Sequence, residues 1–497
     1  MVVFVAVGCA AGIVAAQSLP TLGDTDREEL SPLAERKLGD KIMQEIRRDP
    51  DYLDDAPILE YLNNFGATLV AARPEARGEA AFDYFFFAVR DPILNAFALP
   101  GGFIAVHSGL VLAAQTESEL ASVVAHEIGH VAQRHIARML GKQRQDALLP
   151  LAGALLAVLA SKAGGGSSDA PAALLLGMEG LAIQRQLNFS RDAEREADRV
   201  GLQVLQQTNF DTSGMVAFFG RLQTASRTYN DVAPSFLRSH PLTSERIADI
   251  QARIGSQRYK QRIDSLDFQL VRARMRVLQD NSTQGLRDAI VIFEEQAQLS
   301  NSPQAIAGKY GLAFVALRQR APDRAQKLLQ EARNLAAHSS GPTKVAANNA
   351  IFENLAIDIK LASGAPADAV READAGRQAF PLSRGIAMQY ADALIAAGRI
   401  GDAIAYLRDQ TQLYRQDPKL QERLAKTYAA QGRMTLQHMA LAEAYALDGN
   451  TQPALDQLQI ARRSTDATYY DQSVIDARER TLQALRRDEL KEEKKGK

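Results

Sequence analysis

The stretch VVAHEIGHVAQRHIARM, residues 123–139, sets three histidines and one glutamate in an otherwise largely apolar, helix-like run. His126 and His130 are i and i+4, so on a helix both imidazoles leave one face, about 40° apart and one turn along. Two ring nitrogens so placed reach a single ion at about 2.0–2.1 Å. Glu127 lies about 60° from His130 around the helix. It can flank the ion without ligating it and take a proton from bound water. H-E-x-x-H with the glutamate as general base is the arrangement of zinc proteases. The plainer reading, two satisfied core histidines and a surface glutamate, meets the cost of burying a carboxylate without a partner in VVAHEIGHVA. His135, nine residues past His126, falls about 180° around the helix and is expected to face away, structural or exposed.

Such a site needs a third protein ligand. No H-x-x-G-x-x-H extension follows His130, so a carboxylate from another helix is expected. Glu194 in SRDAEREADRVG is the candidate. Asp198 is i+4 to it and shares its face, where it can accept the outer N–H of a ligand histidine and fix the tautomer. Glu196 falls about 200° away. Taken alone, a Glu–Asp pair at this spacing is more often a solvated helix face.

The elements that must hold these residues are legible in outline. Residues 25–80 are polar-rich and helical. FDYFFFAV, LNAFALP and FIAVHSG, broken by Pro92 and Pro100-Gly101-Gly102, predict a small sheet of about three strands. His107, at the end of the last run, is expected to be structural. Thr116 and Glu119 form a T-x-x-E capping box before an amphipathic helix carrying the histidines. Residues 147–185 give two apolar pieces around a glycine-serine tip, each short of the ~20 residues of a membrane span. They read as a buried helical hairpin, or else as a lid or a membrane- or partner-facing loop. Beyond about residue 265, helix follows helix. Gly398 and Gly432 stand 34 residues apart, the tetratricopeptide period. Stacked helix pairs of that kind make a solenoid with a concave binding surface.

A chain of 497 residues is too long for one ordinary core. Its formal charge of −1 argues against a nucleic-acid partner. The opening MVVFVAVGCAAGIVAAQ reads as an export signal with cleavage near Ala16. Cys9, the one cysteine, stands in a loose resemblance to a lipoprotein box. Cleavage near Ala16 leaves no thiol for a disulfide or a thiolate metal site.

AHEIGH (125–130), NFSRDAEREADRVG (188–201) with its E-x-x-A-D core, NAFALPGG (95–102) and RSHPLTSERI (238–247) together resemble the M48 metallopeptidases. A signal, such a domain and tetratricopeptide repeats, in that order, further resemble the periplasmic subgroup of the family. The resemblance implies an α+β zincin-like metalloprotease domain, mostly helical with a small sheet, over residues 17–262. An all-α tetratricopeptide-repeat solenoid over 263–487 follows, with a 1–16 signal before them and a charged tail, 488–497, after. It implies one Zn²⁺ per chain on His126, His130 and Glu194, with Glu127 as the base. It makes Asn95, Ala96 and Phe97 the start of an edge strand on which an extended substrate backbone could pair. It places His240 in a loop able to take the fourth zinc position and keep the site latent, since four protein ligands leave no activated water. Arg246, six residues on, is a candidate either to stabilise the oxyanion or to pair with a carboxylate.

The implied activity is that of a periplasmic zinc endopeptidase in the quality control and assembly of outer-membrane β-barrel proteins, with a chaperone-like side. Implied partners are unfolded or misassembled outer-membrane proteins as substrates and, through the repeats, the outer-membrane β-barrel assembly machinery, with peripheral membrane association. The rival reading is a repeat-scaffold chaperone or adaptor whose zinc domain is largely latent.

Overall fold

A computed structural model describes residues 30–78, 80–141, 191–228, 236–237, 240–255, 262–299, 302–339 and 348–495. The export signal with Cys9 and the apolar 147–185 segment lie outside the described residues. Helices α1 (Pro32–Ile46) and α2 (Ala56–Ala72) each start on a side-chain cap, Ser31 and Asp55, with proline in the first turn. There its missing N–H costs nothing and its fixed φ suits the helix. The aromatic runs form the expected three strands, β1 (Phe85–Val89), β2 (Ala96–Leu99) and β3 (Phe103–His107). The order is β1-β3-β2, with β3 parallel to β1 and antiparallel to β2. β3 is buried throughout, and β2 lies at an edge of the sheet.

After the short α3 (Ser108–Ala113) comes α4 (Glu117–Ala132), the histidine helix. Thr116 caps it by accepting the Glu119 N–H at 3.2 Å. Glu119 reaches one residue further back than a capping box requires, to the Gln115 N–H at 2.7 Å. The sequence reads α4 as amphipathic. Instead every residue from Glu117 to Ala132 is buried, because the sheet, α2 and two later helices enclose it. An all-round buried helix occupies the centre of a domain rather than its surface. After α4, Arg134 takes φ 50° and a new helix, α5 (His135–Gly141), begins.

The enclosing helices are α6 (Arg191–Gln207) and α7 (Ser213–Thr228), followed by α8 (Ser244–Ile254). α6 presses on α4 through glycine. A Cβ on Gly129 would lie 2.8 Å from the Ala197 carbonyl oxygen, and one on Gly201 would lie 3.0 Å from the His126 amide nitrogen. Glycine inside a helix costs about 1 kcal/mol relative to alanine. At these two positions it lets the two backbones approach closely.

From α9 (Leu266–Gln279) to Lys495 the described chain is all helical, in antiparallel pairs. Gly364, Gly398 and Gly432 recur every 34 residues, at φ 67°, 71° and 76°, and close the turns between paired helices. Within a pair the buried face is narrow and rich in small residues, as with Ala325, Leu329, Ala332 and Ala336. These helices wrap back onto the first part of the chain. Arg274 of α9 grips both oxygens of Asp55, the cap of α2, at 2.7 and 2.8 Å. Glu60 of α2 accepts the Gly385 N–H at 2.7 Å, and Arg48 donates to Asn450 Oδ1 at 2.8 Å. Among the described residues no helix is long and apolar enough to cross a membrane.

The glycine contact can be broken deliberately. Gly129→Val should cost about 1–3 kcal/mol by overpacking, read by urea denaturation. It should also weaken metal binding by moving Glu194 away from the histidines. A variant as stable and metal-retentive as the parent would show that α4 and α6 do not need this approach.

Candidate metal centre

Three elements meet at one buried point. α4 presents His126, Glu127 and His130; α6 presents Glu194 and Asp198; the segment before α8 brings His240. Arg246 sits in the first turn of α8, its N–H held by the capping Thr243 hydroxyl at 3.3 Å. All seven side chains are 3% exposed or less.

The donor atoms converge. His126 Nε2 lies 3.0 Å from His130 Nε2 and 3.3 Å from His240 Nδ1. Glu194 Oε1 lies 3.0 Å from His240 Nδ1 and 3.4 Å from His130 Nε2, while its Oε2 lies 3.4 Å from His126 Nε2. Tetrahedral ligation with bonds of about 2.0–2.1 Å has edges of about 3.3 Å. These separations therefore suit one small cation.

Charge points the same way. Glu127, Glu194 and Asp198 are buried beside a single buried guanidinium, Arg246. With the imidazoles neutral, as metal ligation would require, this leaves two negative charges, a divalent ion's worth. Glu127 has the Ala98 backbone and His240 Nε2 for neighbours, the latter 3.5 Å from Oε1.

Electrostatics separates the roles. Burial opposes a charge on His126, but the Asp198 and Glu194 carboxylates outweigh it and hold the imidazole up to about 10. His130 is pulled well below its ordinary range by burial. Burial would raise Glu194, yet His240, His126 and His130 around it hold its carboxyl well below the usual range. The Glu127 carboxyl is pushed up by burial, partly offset by His240, whose Nε2 lies 3.5 Å away. Asp198 sits 3.0 Å from His126 Nδ1, on the ring edge away from the converging donors.

Of the two roles open to Arg246, the geometry has carboxylate pairing. Its Nε and Nη2 bind the two Asp198 oxygens at 2.6 and 2.7 Å. Its Nη1 reaches Glu194 Oε2 and the Pro241 carbonyl, both at 2.8 Å. Both sides of the guanidinium fork thus face carboxylates.

His240 is seated firmly. Phe236 stacks on its ring, with centroids 4.6 Å apart, and the Phe236 N–H bonds the Leu94 carbonyl at 3.3 Å, just ahead of β2. Asn95 is buried, with its Oδ1 unpartnered among the described residues and its carbonyl accepting the His107 N–H at 3.0 Å. Ala96 is buried and Phe97 is half-buried, its ring edge-on to His107. His107 is itself buried, 3.4 Å from Asp91.

His135 departs from expectation. It does not face away: its Nδ1 lies 2.8 Å from His130 Nδ1, and its Nε2 lies 3.1 Å from Glu196 Oε2. The helical angle from His126 does not carry past Arg134, whose left-handed backbone ends α4. No spacing signal could have found His135 or Glu196. Phe236 likewise carried no sequence mark.

Residues 67–254 match Peptidase family M48. The chain is 31% identical over 470 residues to the Beta-barrel assembly-enhancing protease of Escherichia coli (strain K12), covering 95% of this chain and 92% of that protein. The protein of the same name from Yersinia pestis is 31% identical over 477 residues, covering 95% and 93%. Mitochondrial metalloendopeptidase OMA1 of Arabidopsis thaliana is 32% identical over 158 residues, 32% of this chain and 29% of that one.

The Asp198 pairing has a signed pH consequence. Burial would raise its carboxyl, but Arg246 and His126 depress it below the ordinary 3.8. A depressed carboxylate contributes stability above its unfolded pKa, and loses it as pH falls through the folded value. Asp198→Asn should cost roughly 3–5 kcal/mol near neutrality. The difference from wild type should shrink as pH drops below about 4, in urea titrations across that range. A gap that holds constant in acid would refute the ion pair.

Proposed function

Because the chain belongs to peptidase family M48, we propose that its metalloendopeptidase chemistry runs on one zinc ion held by His126, His130 and Glu194, with Glu127 as general base. The convergence of two imidazoles and a carboxylate beside a buried glutamate carries this reading. Zinc, when bound, lowers the pKa of a water and polarises a peptide carbonyl. The protein's own residues do the rest. The α4–α6 pair fixes where the donors point, and Asp198 orients His126 through Nδ1. Arg246 keeps Asp198 and Glu194 ionised in a site that excludes water. Glu127 takes the proton from the attacking water and passes it to the leaving amine, and its raised carboxyl pKa suits both halves of that transfer.

Substrate, partner and compartment follow from different support. The Escherichia coli and Yersinia pestis relatives are named for enhancing β-barrel assembly. We propose a periplasmic protein whose clients are unfolded or misassembled outer-membrane proteins. The repeats would dock the assembly machinery, and β2, with Asn95 just ahead of it and Ala96 and Phe97 at its start, would receive an extended client strand.

One observation favours keeping the rival in view. His240 sits among the ligand atoms, 3.0 Å from Glu194, where it would complete four protein ligands and leave no place for the water. The protein would then be latent until the His240 segment withdraws, and could serve meanwhile as a repeat scaffold.

Two variants test this. Glu127→Gln should keep its metal, by elemental analysis, while losing casein cleavage by about 10²–10⁴-fold; retained cleavage would exclude Glu127 as the base. His240→Ala should cleave faster than wild type. Equal or slower cleavage by a folded, zinc-loaded His240→Ala protein would rule out capping.

A further inference from the structure

Behind His130, on the side away from the converging donors, stands a second histidine. The contact runs Nδ1 to Nδ1 at 2.8 Å, and the far nitrogen of His135 meets Glu196 Oε2 at 3.1 Å. Arg138 holds the same Glu196 oxygen at 3.0 Å. Two Nδ1 atoms at that distance need one proton between them, and the metal side decides which ring carries it. A His130 Nε2 that faces the site must offer a lone pair. The His130 proton is therefore on Nδ1 and donates outward. His135 Nδ1 must then accept, so the His135 proton sits on Nε2, where the Glu196 carboxylate takes it. Each ring has one allowed tautomer, set in sequence from the site outward to Glu196.

The backbone is shaped for this contact. Five residues of continuous helix would carry His135 about 140° away from His130. Instead α4 stops at Ala132, Arg134 adopts the left-handed conformation that non-glycine residues avoid, and α5 restarts at His135. The Arg134 guanidinium is tied down by Glu35 at 3.0 Å and by the Leu30 carbonyl. His135 is 4% exposed in the position this turn creates.

We propose that His135 and Glu196 are positioning residues that act through His130: they fix its tautomer and ring orientation and so raise the affinity of the site for zinc. This rests on the metal-centre reading above.

Zinc affinity, measured by competition with a chromogenic chelator on the full-length protein, tests it apart from catalysis. His135→Phe fills the space without an acceptor and should bind zinc about 10–100-fold more weakly. His135→Asn sets a carbonyl oxygen near the lost Nδ1 and should restore most of that affinity, a recovery that packing alone would not produce. Glu196→Ala, at a partly exposed position, should weaken zinc about tenfold, with Glu196→Gln near wild type. Melting curves of the zinc-free proteins separate binding from folding. Wild-type affinity in His135→Phe, or equal losses in His135→Phe and His135→Asn, would overturn the proposal; should neither fold, the Glu196 pair decides it in the same way. Failure of wild type to bind zinc would instead sink the metal-centre reading itself.

Discussion

The site depends on how closely α4 and α6 approach. At Gly129 and Gly201 each helix meets the other's backbone with no side chain between. That contact sets the separation at which Glu194 on one helix can share a point with His126 and His130 on the other. Glu194 lies far from both histidines in sequence, and its approach to 3.4 Å from each needs a rigid contact between two helices. Interiors packed as densely as crystals supply that rigidity. The complete burial of α4 follows from the same geometry: a helix touched on every side has few ways to move.

Burial then sets the electrostatic terms. A carboxylate taken out of water is costly unless something answers its charge, and here three carboxylates face one guanidinium. Arg246 answers Asp198 fully and Glu194 in part. The remaining two charges are what a divalent cation neutralises. The same fork bonds the Pro241 carbonyl, next to His240. A single side chain thus ties the charge balance of the centre to the segment that occupies its open side. The stack of Phe236 on His240 adds a second hold on that segment.

The repeat half meets this assembly at the end of α1, at α2, at α3 and at the start of α4. Asp55 caps α2 and also receives Arg274, buried in the first repeat helix. Glu60, one turn further along α2, receives the Gly385 amide. These contacts are charged and directional, and they join an apolar one: Phe268, Val271 and Met275 of α9 lie in the same buried cluster as Val123, Val124 and Ile128 of α4. Periodic glycines made the repeats readable in advance, because a tight turn between helices demands a left-handed residue and glycine adopts it without strain.

Sequence alone determined whatever depends on local periodicity. The i, i+4 spacing put His126 and His130 on one face and paired Glu194 with Asp198. The aromatic runs gave three strands, Thr116 marked a helix start, and a 34-residue interval announced the solenoid. Four ordered motifs were enough to place the family. Tertiary structure decided whatever depends on where separate elements stop and meet. His135 was misplaced because an angle extrapolated along a helix fails where the helix ends, and Arg134 ends it through a backbone conformation its residue type does not advertise. Arg246 was left between two roles because the partner of a guanidinium is settled by distance across the fold, and α6 came within 2.6 Å. Full burial of α4 was likewise invisible, since solvent exposure belongs to the packed assembly and not to any one segment.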